Sequence, residues 1–168
     1  MANRMPDNIK KYGMGCSYFI ETGTHAGGTL NVALELNMFD KLYSCDIDEG
    51  FFDIASNRFC DFDNVHLYHK SSIDFLKEVL PKINKKTFFW LDAHDVGKVA
   101  PLKEELNLIR DLLEKNNHVI MIDDIPIYFG DGSLVKEQLL DINPNYIIEG
   151  LPCSGDWDAR PNYILVAY

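Results

Sequence analysis

Residues 20–29 read Ile-Glu-Thr-Gly-Thr-His-Ala-Gly-Gly-Thr. The apolar run Ser17-Tyr18-Phe19-Ile20 stands before this stretch, and a helical pattern of Leu30, Ala33 and Leu34 follows it. A buried strand that ends at a carboxylate, turns through glycines and enters a helix satisfies all three segments. Glycine tolerates positive φ and lets a ligand approach the backbone closely. The helix start beyond it offers unpaired N–H groups. Glu21, Thr22, Gly23, Thr24, Gly27, Gly28 and Thr29 are therefore candidate contacts for a nucleotide-type cofactor.

Outward from this turn, short apolar runs alternate with helical patterns to the end of the chain. Strands are expected at 17–21, 41–46, 65–68, 87–92, 118–123, 146–150 and 162–167, and helices near 28–37, 50–60, 72–80, 101–115 and 132–141. Leu102, Leu106, Ile109 and Leu113 share one helix face, with Pro101 at the start, where proline is tolerated. Continuous apolar strands such as Thr87-Phe88-Phe89-Trp90-Leu91 and Val119-Ile120-Met121-Ile122 predict a parallel sheet covered on both faces. Between Tyr146-Ile147-Ile148 and Tyr163-Ile164-Leu165-Val166 the chain is too short and too rich in Pro, Gly and Asp for a helical crossover. The last two strands are accordingly expected to run antiparallel. The fold class is α/β: a doubly wound, mostly parallel seven-stranded sheet with an antiparallel last strand.

Composition limits the function classes. At 168 residues the chain is expected to form one domain, 1–168, with an adequate core. The segment 1–15 is a candidate contributor to the substrate site. An apolar fraction of 46% and a charged fraction of 25% are those of a globular protein. The net charge of −10, with no Lys/Arg cluster, argues against nucleic acid or an anionic membrane as partner. Cys16, Cys45, Cys60 and Cys153 stand far apart without a C-x-x-C pair, which disfavours zinc and suits reduced thiols in the cytoplasm. No signal-peptide core and no run of membrane-spanning length is visible.

In a doubly wound sheet, ligands bind beyond the carboxyl ends of the strands. The expected strand ends carry Glu21, then Asp46 and Asp48, then Asp92-Ala93-His94, then Asp123-Asp124. Asp46 can accept hydrogen bonds from the two hydroxyls of a ribose, or cap the helix starting near Gly50. Ser71 and Ser72 are candidate adenine contacts, and Ser72 is equally a helix N-cap. Asp92, Asp123 and Asp124 should lie close enough to repel one another. That predicts either a raised pKa or a bound divalent cation, and all-oxygen ligands favour Mg²⁺, Ca²⁺ or Mn²⁺. The alternative is that one Asp caps a helix while another orients a substrate hydroxyl. His94 at the crevice rim can exchange a proton near neutrality, or be a bystander in an exposed loop.

These motifs resemble the class I S-adenosylmethionine-dependent methyltransferases. Glu21-x-Gly23-x-x-x-Gly27 is similar to their first motif, Asp46 falls where their ribose-binding acid does, and the final hairpin resembles their antiparallel seventh strand. The segment Phe89-Trp90-Leu91-Asp92-Ala93-His94, followed by Pro101-Leu102-x-x-Glu105-Leu106, resembles a branch of small O-methyltransferase-like proteins near the macrolide-sugar and catechol types. The resemblance implies S-adenosyl-L-methionine as cofactor, Asp92, Asp123 and Asp124 as ligands of Mg²⁺ or Mn²⁺, and His94 as base beside Asp92. It also implies a small-molecule acceptor, with carbohydrate favoured, and admits a homodimer. Where that family has Gly-Asp after the third strand, this chain has Lys70-Ser71.

Acceptor contacts are expected from loops 95–100, 126–132 and 152–160, where Trp157 can stack on a sugar ring or plug the sheet edge. Two rival readings stand beside the methyltransferase. A nicotinamide-dependent oxidoreductase would also use a glycine turn followed by an acid, but the G-x-G-x-x-G spacing is missing. A non-catalytic cofactor-binding module would need neither the acid cluster nor His94.

Overall fold

The computed structural model describes residues 5–94, 100–113, 117–153, 155, 158 and 160–168. Seven strands form one sheet: β1 Tyr18–Thr22, β2 Lys41–Asp46, β3 Val65–His69, β4 Thr87–Leu91, β5 Val119–Ile122, β6 Ile148–Leu151 and β7 Ile164–Ala167. The helices are α1 Met5–Tyr12, α2 Gly28–Glu35, α3 Glu49–Phe59, α4 Ser72–Val79, α5 Leu102–Leu112, α6 Ile125–Tyr128 and α7 Ser133–Ile142, with a 3-10 turn at Leu80–Lys82. The strand order is 3-2-1-4-5-7-6.

β1 to β5 pair in parallel, and β7 runs antiparallel to both of its neighbours, β5 and β6. The expected antiparallel ending is present, with one refinement: the last strand inserts between its two predecessors. Burial explains the placement. Ile164-Leu165-Val166-Ala167 is apolar without interruption and buried throughout, so it needs cover on both faces and both edges. Ile148-Glu149-Gly150-Leu151 is only partly buried, as suits an edge. The order also departs from the 3-2-1-4-5-6 arrangement of dinucleotide-binding sheets.

Strand side chains alternate between two cores. Ile20, Phe89, Leu91, Ile120, Ile122 and Leu165 pack with the apolar stripes of α4, α5 and α7. Phe19, Phe88, Trp90, Met121, Ile164 and Val166 face α1, α2 and α3. The stripe on α5 holds as expected, except that the helix ends before Leu113. Two helices were not anticipated from the sequence. α1 forms from a polar segment whose Ile9 and Tyr12 alone are buried. The Tyr12 hydroxyl donates to Glu149 Oε2 at 2.5 Å, and that of Tyr168 donates to Oε1 of the same carboxylate, pinning α1 to the β6–β7 edge. The second, α6, is a single turn with Pro126 in its first turn, too short to show periodicity.

Candidate active site

The glycine turn between β1 and α2 begins with two hydrogen bonds to the neighbouring strand, Gly23 N and Thr24 N to Cys45 O at 3.1 and 2.9 Å. Gly23 has φ of +86°, and a Cβ there would lie 2.7 Å from the carbonyl oxygen of Asp92. The chain thus brings the ends of β1 and β4 into backbone contact, which only glycine allows. Asp92 N donates to Thr22 O across the same junction. Gly27, also left-handed, precedes α2 without a side-chain cap, so no capping side chain occupies the first amides of α2. A Cβ at Gly28 would meet nothing within 4 Å.

Asp46 closes this region from the end of β2. Its Oδ2 accepts from His25 N at 2.7 Å and its Oδ1 from Asp48 N at 2.9 Å. The cap of α3 is Asp48, which accepts from Phe51 N, so the capping alternative for Asp46 falls away. Its remaining lone pairs are free for a ribose diol. Ser71, not Ser72, caps α4, accepting from Asp74 N. Ser72 is buried beside Glu105 and favours the charged form of its carboxyl group.

Glu21 lies beneath the turn, 1% exposed, accepting from Ser44 Oγ, which in turn bonds Thr24 Oγ1. Burial pushes its pKa up to about 8 against the Ser44 bond, and the charges of Asp92 and Asp46 add to the rise. The strand register agrees: Thr22 pairs with Cys45 and with Leu91, so Asp46 and Asp92 follow at the same end of the sheet as Glu21.

The second half of the site is an acid–histidine cluster. His94 Nε2 lies 2.8 Å from Asp92 Oδ1 and 3.0 Å from Asp124 Oδ2, so its single N–H sits between two carboxylates and points squarely at neither. Burial alone would lower the imidazole's pKa, but the bonds to Asp124 and Asp92 outweigh it and raise it to about 10. Against burial, the bonds from His94 and Tyr163 hold Asp124 below the ordinary carboxylate range. The ring stacks on Tyr128, centroids 4.1 Å apart. Among the described residues, the metal-competent atoms that converge, within 4.8 Å of one another, belong to Asp92, His94 and Asp124.

Asp123 takes a different place. Its Oδ1 accepts from Asp124 N, and burial, reinforced by Asp92, raises its pKa to about 7. Asp124, at φ of +55°, precedes α6 without a side-chain capping bond. Sequence reading gave no role to two contributors, Glu105 and Tyr163, whereas Tyr128 lies in the segment 126–132 where acceptor contacts were expected. Glu105 sits on the buried stripe of α5, 1% exposed, with its pKa raised by burial to about 7. An acid three residues after Leu102 and one before Leu106 was a readable sign of this. Tyr163 carried no such sign. The expected contacts at Asp95, Gly97, Lys98, Asp156 and Trp157 lie outside the described residues.

No family model and no curated protein matches the sequence. Solved structures do match in three dimensions. An O-methyltransferase of Bacillus cereus, in complex with SAH, aligns with a TM-score of 0.72 at 15% identity, over 98% of this chain and 79% of that one. This is the Rossmann-like methyltransferase fold. A methyltransferase of Podospora anserina with SAH bound aligns at 0.60 and 12% identity, over 97% of this chain and 75% of its own. A precorrin 8W decarboxylase of Methanobacterium thermoautotrophicum aligns at 0.64 and 20%, over 99% and 89%. Likeness at such identities establishes architecture, and the reaction has to be argued from the site. No described helix of this Rossmann-like chain is long and apolar enough to cross a membrane.

Proposed function

We propose that the chain is an S-adenosyl-L-methionine-dependent O-methyltransferase of a small acceptor, a sugar or another diol, working as one domain. The observation that carries this reading is the meeting, at one end of the sheet, of an open glycine turn, the acceptor-rich Asp46 and the Asp92–His94–Asp124 cluster. The turn fits the cofactor, because the start of α2 has no side-chain cap, Gly28 has clear space around it, and the carboxylate bonded to His25 N within the turn, Asp46, suits a ribose. When bound, the cofactor supplies a sulfonium methyl open to in-line attack by oxygen. The chain's part is to hold acceptor and cofactor in register and to manage one proton.

That proton's destination is constrained. His94 Nε2 already carries one at neutral pH, so it must release it before it can act as base. The donor set fits a divalent ion once that proton is gone. Asp92 and Asp124, with His94 or Asp123 completing the set, would hold Mg²⁺ or Mn²⁺, which would supply charge that lowers the acceptor hydroxyl's pKa. Methyl transfer to diols, screened with and without Mn²⁺ and EDTA, tests the reading. We expect the rate without metal to rise with pH toward about 10, and added metal to move the rise to lower pH. Activity indifferent to EDTA and flat in pH would dismiss both the metal and His94 as base.

Asp46→Ala should weaken S-adenosylmethionine binding by about 1.5–3 kcal/mol, the value of charge-assisted hydrogen bonds. Calorimetry showing unchanged affinity would remove its ribose role. One observation favours the non-catalytic module: the His94 imidazolium already neutralises its acids without any ion. Tight cofactor binding with no turnover on any diol would select that reading.

A further inference from the structure

Glu105 has no role in the reading above, yet its setting is costly. It lies on the apolar stripe of α5 with Leu102, Leu106 and Ile109, positions where an aliphatic side chain would pack as well. Ser72 at the start of α4 and Thr22 at the end of β1 lie close enough to its carboxyl group to favour the charged form. Its Oε1 is buried and bonded to no protein group among the described residues. A buried acceptor without a donor is strongly unfavourable, so a donor beyond the described residues is called for, and a water molecule is the smallest that fits. A small cavity lined by Glu105 and His94 has room for one water molecule. Leu91, Leu102, Ile122 and Phe129 make much of the rest of its wall apolar.

We propose that Glu105 is a positioning residue joining the two halves of the cleft: its carboxyl holds Thr22 and Ser72 on one side and, through Oε1, a single water shared with His94 on the other. Thr22 directly precedes the glycine turn and its carbonyl accepts from Asp92 N, so a shift at Glu105 is felt by both the turn and the end of β4. Cofactor affinity then depends on a side chain that never touches the cofactor. This consequence rests on the adenosyl reading; the water site does not.

Full-length protein and two variants test it. Glu105→Gln keeps shape and hydrogen bonding, whereas Glu105→Leu keeps only volume. Crystals of the parent should show one ordered water within hydrogen-bond reach of Oε1, absent in E105L. By calorimetry, E105Q should bind S-adenosylhomocysteine within about threefold of the parent and E105L about tenfold more weakly, with both melting close to the parent. A purely structural role would lower the melting temperature and leave the affinity of folded E105L unchanged. Parent-like affinity in E105L, a cavity without water in the parent, or a loss in E105Q equal to that in E105L overturns the proposal. If E105L does not fold, the parent's water and the E105Q affinity decide. A parent protein that does not bind S-adenosylhomocysteine defeats the adenosyl reading instead, and the water with its loss in E105L then decides this one.

Discussion

The melting temperature is expected to fall as pH is raised from about 5 to about 9, opposite to the usual rise out of acid. Glu21 and Glu105 drive the effect. Each has an ordinary pKa of 4.5 and is raised on folding, to about 8 and about 7, burial being the main cause in both. Between the two values the folded chain binds more protons than the unfolded chain, so the slope of stability with pH is negative. Their contribution is fully present below pH 4.5 and is lost as pH passes through the folded values. Asp123, raised from 3.8 to about 7, and His94, raised from 6.5 to about 10, have the same sign, the latter losing its contribution latest. Each group changes stability by about 1.4 kcal/mol per pH unit within its window. Acids held low by partners, among them the surface groups Glu78 and Asp111 and the partly buried Asp124, act only in more acidic solution. Calorimetric melts across this range check the prediction, and Glu21→Gln should remove part of the slope. Melting that rises or stays level toward pH 9 would contradict it.

Gly23→Ala should destabilise the protein by about 2–5 kcal/mol, combining a left-handed backbone with an overpacked contact. The new Cβ would lie 2.7 Å from Asp92 O, 3.0 Å from Asp92 C and 3.3 Å from Ala93 Cα. None of these backbone atoms can move alone, because Asp92 N is bonded to Thr22 O and Gly23 N to Cys45 O. Relief requires the ends of β1 and β4 to separate, and cofactor binding should disappear with their register. A fall in melting temperature of roughly 5–15 °C is expected. Gly28→Ala is the control: open space surrounds its position at the start of α2, and alanine favours a helix. Equal effects at the two glycines would refute the argument.

The strand-end acids are the part of the site most legible in the sequence. Glu21, Asp46, Asp92 and Asp123 were expected at one edge because each closes an apolar run, and runs in a parallel sheet end on the same side. Their mutual charge effects bear this out. Which acids would share the imidazole was not legible. Asp123 and Asp124 are adjacent in sequence, yet one is turned into a bond with the next backbone amide and the other toward His94. The left-handed backbone at Asp124 separates them, and although aspartate adopts it more often than most residues, it does so too rarely for sequence to assign it to one of two adjacent aspartates. The helix α1 was missed because its stability comes from Tyr12 and Tyr168 meeting on Glu149, residues at opposite ends of the chain.

The sequence by itself determined the alternation of strands and helices, the parallel sheet with its reversed ending, and the glycine turn beside a carboxylate. Those follow from local spacing: uninterrupted apolar runs bury on two faces, helical stripes on one, and glycine turns where other residues cannot. Only the tertiary structure decided that β7 enters between β5 and β6, that His94 holds its proton between Asp92 and Asp124, and that Glu105 lies buried beside them. These depend on burial and charge summed over segments remote in the chain, and a carboxyl's proton affinity is set by what surrounds it in space.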